Sequence, residues 1–218
     1  MNKPLLPRLC AEAIGTFAIV FFGCGSIMVL EHAPGSMSLI AIPVVFGAVV
    51  ASMIYGLGHI SGAHFNPAVT LAFAVVRHFP FTEVIAYWCA QVIGAVLAAG
   101  ALAFLFGPGS SFGATVPHVP LARAFGWEFI MTYFLMLIIM AVATDVRAVG
   151  ILAGIAIGAI VMLDAFIGGW ATGASMNPAR SFAPALFQGT LDSMWLYCLA
   201  PTSGAIAGAL SYKIIAKK

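Results

Sequence analysis

Apolar residues dominate this chain in long runs that short polar segments separate. Six of these runs approach the ~20 residues that a helix needs to cross a bilayer. They cover residues 9–30, 37–57, 83–106, 124–143, 148–167 and 194–215. Two further apolar stretches, 66–76 and 177–188, are too short to cross alone. The pattern therefore predicts an all-α membrane protein with six transmembrane helices and two re-entrant half-helices.

Composition supports a chain that is dissolved in lipid. Of its 218 residues, 62% are hydrophobic and only 7% are charged, whereas soluble domains carry about 25% charged residues. The first apolar run is longer than the roughly 7–15 residues of a signal-peptide core, so we interpret it as a retained helix. The net charge of +2 gives no reason to expect a nucleic-acid partner.

The basic residues are divided unevenly between the two sides that six crossings define. Arg123 lies on one side, and Arg180 falls inside the second short stretch. The others share the side of the termini: Lys3, Arg8, Arg77, Arg147, Lys213, Lys217 and Lys218. Because lysine and arginine are retained on the cytoplasmic side, we expect both termini in the cytoplasm. The short chain with minimal termini favours a prokaryotic inner membrane.

The four cysteines do not form a metal-binding or disulfide pattern. All lie within predicted helices without CxxC spacing, at Cys10, Cys24, Cys89 and Cys198. This arrangement is typical of apolar packing residues. We therefore expect neither a metal site nor a cofactor.

The chain contains the same pattern twice. Two nine-residue strings share Ser/Thr-Gly-Ala and Asn-Pro-Ala at the same positions, Ser61-Gly62-Ala63-His64-Phe65-Asn66-Pro67-Ala68-Val69 and Thr172-Gly173-Ala174-Ser175-Met176-Asn177-Pro178-Ala179-Arg180. A Glu-x-x-x-Thr motif also opens each half, at Glu12 and Glu128. Each half has three crossings, an odd number, so the halves form an inverted repeat whose half-helices approach the midplane from opposite faces. We expect one domain over 1–218, with repeats over about 8–106 and 122–215 and a connecting loop over 107–121.

The Asn-Pro-Ala triplets suit the start of a buried half-helix. Asn is among the best N-caps, Pro at the next position has no N–H to leave unpaired, and small Ala allows close helix contact. The residues concerned are Asn66, Pro67, Ala68, Asn177, Pro178 and Ala179. Because capping uses only the amide oxygen, we expect the NH₂ groups of both asparagines to be free to face a pore.

Two helix N-termini at the midplane predict a particular electrostatic site. Each carries about half a positive charge, which repels cations and protons but admits a neutral dipolar molecule. The extended backbone before each half-helix is expected to supply a ladder of carbonyl acceptors from Gly62, Ala63, His64, Phe65, Gly173, Ala174 and Ser175. Paired interrupted segments in two repeats indicate a transport site.

Along essentially its whole length the chain resembles the aquaporin, or major intrinsic protein, family of water and small-solute channels. The motifs that carry this resemblance are His59-Ile60-Ser61-Gly62 and Asn177-Pro178-Ala179-Arg180-Ser181. The resemblance implies a right-handed bundle of six tilted helices and two half-helices, assembled as a homotetramer with one pore per subunit. The string over 173–181 is most similar to the nodulin-26-like branch, whose members pass glycerol and in some cases undissociated metalloid acids.

The resemblance also implies a four-residue selectivity filter at Phe46, Ala165, Ala174 and Arg180. Water-selective members usually have His at the second position and Thr or Cys at the third, where this chain has alanines. Glycerol facilitators usually have Trp, Gly and Phe at the first three positions and Asp after the arginine, where this chain has Ser181. We expect a wide, permissive pore for water and small neutral solutes such as glycerol, with metalloid acids as further candidates.

Five polar residues have separate expectations. Glu12 and Glu128 are expected to accept backbone N–H groups of the re-entrant loops, as the family also implies. His59 and His64 flank the first half-helix and either support the loop or gate the pore by protonation. Asp164 either tunes the filter or makes a structural hydrogen bond, and an intramembrane carboxylate marks a functional hypothesis.

Other functions remain open at this point. One is a strictly water-selective channel, and another is an inverted-repeat secondary transporter, which would explain the symmetry but would need coupling-ion carboxylates beside the asparagines. A cation channel conflicts with two positive helix ends. An enzyme is not expected, because the chain has no HExxH motif.

Overall fold

Eight α-helices make up the described part of the chain. The computed structural model describes residues 4–107 and 109–216, within which no strand occurs. The helices are α1 (Leu5–His32), α2 (Ala41–Ser61), α3 (Pro67–Val75), α4 (Val84–Phe106), α5 (Leu121–Ala143), α6 (Ala153–Thr172), α7 (Pro178–Gln188) and α8 (Met194–Ile215). Short 3-10 turns, Phe81–Glu83 and Gly150–Leu152, precede α4 and α6. Lys3, Lys217 and Lys218 lie outside the described residues.

The six long helices coincide with the six predicted crossings, and α3 and α7 with the two half-helices. By length and composition, five helices of the described chain can cross a membrane, namely α1, α2, α4, α5 and α6. The spans of α4 and α6 include the 3-10 turns that precede them. Helix α8 is 22 residues long but less apolar, because it includes Pro201, Thr202 and Lys213. It packs beside α5 as α4 packs beside α1, which is the position of the sixth crossing.

The packing follows the duplication in the sequence. Helix α1 contacts α2 and α4 in the first half, and α5 contacts α6 and α8 in the second. Each half-helix also packs across the boundary between the halves, α3 against α8 and α7 against α4. The two half-helices are thus held at the centre, between the halves.

The closest helix contacts depend on glycine. A Cβ atom on Gly94 of α4 would lie 2.1 Å from the Ala13 carbonyl oxygen of α1, and one on Gly204 of α8 would lie 2.2 Å from the Phe129 carbonyl oxygen of α5. Such approach of two backbones is typical of helix contacts in membranes.

We expect Gly94→Ala to destabilise the protein by about 3 kcal/mol. The added methyl group would clash with the backbone of α1, which cannot move aside as a flexible side chain could. The measurement is thermal unfolding in detergent. Gly126→Ala is the matched control, since a Cβ on this helical glycine meets no atom within 4 Å. Equal melting temperatures for the two variants would contradict the prediction.

The cysteines are free in the described chain. Cys24 is buried, whereas Cys10, Cys89 and Cys198 are exposed on the outer surface. Cys24 is thus an apolar packing residue, as expected of all four, whereas the other three are exposed in the described chain.

Candidate functional site

The two half-helices meet at their N-termini in the middle of the bundle. Asn66 caps α3 by accepting the Ala68 N–H at 2.9 Å. Asn177 caps α7 by accepting the N–H groups of Ala179 at 3.0 Å and Arg180 at 3.4 Å. Pro67 and Pro178 occupy the first helical positions. Ala68 and Ala179 are buried, as close contact between the two helices requires.

The asparagine side chains also reach across to the opposite repeat. Asn66 Nδ2 donates to the Met176 carbonyl at 2.7 Å, and Asn177 Nδ2 donates to the Phe65 carbonyl at 2.8 Å. The expectation that both NH₂ groups are free was therefore wrong for one N–H of each. An amide NH₂ carries two donors, so each asparagine keeps a second N–H for the cavity described below. The reciprocal pair of hydrogen bonds clasps the two loops together.

Left-handed backbone makes this clasp possible. The φ angles are +52° at Ala63 and +50° at Phe65 in the first loop, and +45° at Ala174 and +53° at Met176 in the second. Non-glycine residues seldom adopt this conformation, and it persists only where the surroundings enforce it. The same strained turn therefore occurs at equivalent positions of both repeats, next to both asparagines.

Glu12 holds the first loop in its conformation. Its carboxylate accepts hydrogen bonds from Ser61 Oγ at 2.7 Å, the His64 N–H at 2.9 Å, the Phe65 N–H at 2.6 Å and Gln91 Nε2 at 2.8 Å. The side chain is completely buried. This carboxylate supplies partners for backbone groups that lipid cannot satisfy.

Glu128 does the same for the second loop. It accepts from Thr172 Oγ1 at 2.7 Å, the Ser175 N–H at 2.8 Å and the Met176 N–H at 2.8 Å. Both glutamates thus take the position that was expected for them. Gln91 has no equivalent among the hydrogen bonds of Glu128, so the two supports differ in one donor.

Two tyrosines complete the loop supports and were missed by sequence reasoning. Tyr87 Oη donates to the Ser61 carbonyl at 2.9 Å, and Tyr197 Oη donates to the Thr172 carbonyl at 2.8 Å. Their separation of 110 residues nearly equals the 111 between the asparagines. This repeat offset was the signal that could have identified them.

A cavity of about 490 Å³ runs past the meeting point of the half-helices. Both asparagines and all four expected filter residues line it, together with Gly62, Ala63, His64, Phe65, Ser175, Met176 and His59. Gly173 is not part of the lining and faces Thr115. Met176 belongs to the lining but was not among the expected carbonyls. The expected ladder of carbonyl acceptors also differs at Phe65, because its carbonyl already accepts a hydrogen bond from Asn177.

Arg180 and Phe46 form one wall of this cavity. The Arg180 side chain is only 2% exposed, and its Nη1 donates to the Gly113 carbonyl at 2.7 Å. Its guanidinium carbon lies 5.1 Å from the centre of the Phe46 ring, within cation–π distance. Ala165 and Ala174 contribute only methyl groups to the same lining, so the cavity combines a fixed positive charge with small apolar side chains.

His64 is built into the loop support. Its Nδ1 lies 3.1 Å from Thr70 Oγ1, and its ring packs against Phe73, Phe79 and Tyr87. These contacts favour the supporting role over a gate. His59 also lines the cavity.

Asp164 does not line the cavity. The side chain is 4% exposed, and its Oδ2 has no partner in the described part of the chain. The described residues contain no ion pair between Asp164 and Arg180. The described residues thus show Asp164 neither in the cavity lining nor in a hydrogen bond to the loop.

Comparison with known proteins agrees with this geometry. The chain matches the family described as "Major intrinsic protein" over residues 2–212. It is 51% identical to Nodulin-26 of Glycine max over 99% of this chain and 80% of that protein. It is 46% identical to Aquaporin NIP1-1 of Oryza sativa subsp. japonica over 98% of this chain and 76% of that protein.

Among solved structures, the fold is similar to that of the aquaglyceroporin from Plasmodium falciparum. The TM-score is 0.88 at 24% sequence identity, and the alignment covers 97% of each chain. Fold, duplicated motifs and sequence identity agree, and this chain belongs to the major intrinsic protein family.

Proposed function

We propose that this protein is a passive transmembrane channel for water and small uncharged solutes such as glycerol, and that it excludes protons and ions. One observation carries the proposal: the cavity passes two capped helix N-termini and a buried guanidinium, at Asn66, Asn177 and Arg180. Positive helix ends and a fixed cation disfavour cations. A neutral solute can instead accept hydrogen bonds from the remaining N–H groups of the two asparagines.

The filter residues support a wide range of solutes. Ala165 and Ala174 leave room opposite Phe46 and Arg180, so a polyol can place its carbon chain on apolar surface while its hydroxyl groups meet the guanidinium. Undissociated metalloid acids are small, neutral and rich in hydroxyl groups, so the same surfaces suit them. The names of the relative Aquaporin NIP1-1 and of the structurally similar aquaglyceroporin point to the same class of channel.

The proposal extends to assembly and location. We propose a single channel domain over the whole chain, with pores repeated in a homotetramer as the family resemblance implies. The outer surface is rich in exposed apolar side chains, including Phe104, Ile151 and Leu163, which suits burial against lipid or a second copy. A location in a prokaryotic inner membrane, with both termini in the cytoplasm, stays a prediction, since Nodulin-26 and Aquaporin NIP1-1 are plant proteins.

Water and glycerol fluxes of purified protein in proteoliposomes test this function. Stopped-flow light scattering is expected to show rapid shrinkage in sucrose and rapid re-swelling in glycerol, both well above empty vesicles. Shrinkage without re-swelling would instead support a strictly water-selective channel. Absence of both would overturn the proposal.

Ala165→His is the expected way to narrow the filter. An imidazole replaces a methyl group opposite Arg180, so glycerol permeability is expected to fall about tenfold while water permeability falls less than about twofold, because pore diameter sets selectivity. Ala165→Gly, which adds no bulk, is the matched control and should leave the ratio unchanged. Equal loss of both fluxes in Ala165→His would argue against Ala165 as a filter residue.

A further inference from the structure

A chain of contacts links the cavity to an exposed carboxylate that no part of the proposed mechanism uses. We propose that Glu31 is a positioning residue for Arg180: it fixes the loop before α5 and thereby sets the discrimination between water and larger solutes. The inference rests on the proposed channel function.

Glu31 binds the loop at Ser111. It lies near the C-terminal end of α1, 80 residues before its partner in the sequence. Glu31 Oε2 accepts the Ser111 N–H at 3.1 Å, and Oε1 accepts the Ser111 hydroxyl group. Both polar hydrogens of Ser111 therefore bind one carboxylate, which fixes the position and the orientation of this residue.

Ser111 in turn fixes the peptide between Gly113 and Ala114. Its Oγ accepts the Gly113 N–H at 3.1 Å, and its carbonyl accepts the Ala114 N–H at 3.0 Å. In a trans peptide the N–H and C=O groups point in opposite directions. Holding the Ala114 N–H toward Ser111 therefore directs the Gly113 carbonyl away from it, toward Arg180.

The Gly113 carbonyl is the decisive partner of Arg180. Within the described residues, the bond from Nη1 to Gly113 is the single hydrogen bond of the guanidinium, and Nε has no partner. The loop fits tightly here, because a Cβ on Gly113 would lie 2.7 Å from Cys24 Cβ and the φ angle is +66°. Because the guanidinium has only this one hydrogen bond among the described residues, a small rotation of the Gly113–Ala114 peptide frees it to move away from Phe46 and into the cavity.

Glu31→Ala tests the proposal by its effect on selectivity. In proteoliposomes we expect glycerol permeability to fall about threefold relative to water permeability, the order of effect of losing one net hydrogen bond. A released Arg180 narrows the cavity and obstructs glycerol more than water. Glu31→Gln keeps one oxygen acceptor and should restore most of the ratio. A variant that is only less well folded lowers both fluxes together and leaves the ratio unchanged.

Two further variants make the test specific. Asp192→Ala removes an exposed carboxylate from the loop before α8, on the same side of the bundle, and should leave the ratio as in the wild type. The double variant Glu31→Ala/Ser111→Ala should shift the ratio no further than Ser111→Ala alone, because the carboxylate acts through that serine. An unchanged ratio in Glu31→Ala, an equal shift in Asp192→Ala or an additive double variant would each overturn the inference. The proposed function fails separately, if the wild type conducts neither solute.

Discussion

Replacing Glu12 with alanine is expected to abolish the channel, the largest effect of any single substitution considered. Four donors lose their acceptor at once, two of them backbone N–H groups of His64 and Phe65. A buried unsatisfied donor costs about 1–3 kcal/mol, so the total is at least ~4 kcal/mol. The cost falls on a loop that holds left-handed backbone at Phe65, whose carbonyl is half of the asparagine clasp.

Thermal unfolding in detergent and water flux in proteoliposomes measure this loss. Glu128→Ala should show the same behaviour to a smaller degree, because three donors depend on that carboxylate. Asp192→Ala, which removes an exposed carboxylate, should unfold at the wild-type temperature. If Glu12→Ala instead unfolds at the same temperature as Asp192→Ala and conducts water normally, the first loop does not depend on the Glu12 carboxylate.

Replacing Arg180 with alanine is expected to open the cavity to cations. The guanidinium is the fixed positive charge of the wall, at 5.1 Å from the Phe46 ring. At a separation of about 5 Å and an effective dielectric constant of about 20, it opposes a passing monovalent cation by about 3 kcal/mol. Its loss should raise cation and proton leak on the order of a hundredfold, and the smaller side chain should also raise glycerol permeability.

Vesicles that contain a pH-sensitive dye report this leak under an imposed proton gradient. Arg123→Ala is the matched control, because it removes an exposed positive charge at the start of α5, outside the cavity. Its leak should equal that of the wild type. A proton-tight Arg180→Ala channel would show that the helix N-termini alone exclude cations, and would remove Arg180 from the account of ion exclusion.

The fold was largely predictable because apolar run length determines what can cross a bilayer. The half-helices were predictable for a related reason: Asn-Pro at a short apolar stretch suits only a helix start. Repeat symmetry then placed Glu12 and Glu128 at equivalent loops. These inferences rest on local sequence and on an offset between two copies, and the family resemblance also supports the half-helices and the role of the glutamates.

The features that sequence reasoning missed depend on three-dimensional contact. The asparagine clasp uses carbonyls of Phe65 and Met176, and a carbonyl's direction follows from φ and ψ angles that residue type does not determine. Gln91 supports only one loop, so the repeat offset gave no second copy to reveal it. The position of Asp164 before Ala165 allows either filter tuning or a structural hydrogen bond, and its absence from the cavity lining was not predictable, because consecutive side chains on a helix point about 100° apart.

The initial rate of glycerol-driven swelling, measured over increasing glycerol gradients in wild-type proteoliposomes, tests the central claim most directly. A passive channel predicts a rate that rises linearly with the gradient and does not change when a proton or sodium gradient is imposed. A rate that saturates and depends on either ion would contradict the account, because it would identify an alternating-access transporter built on the same inverted repeat.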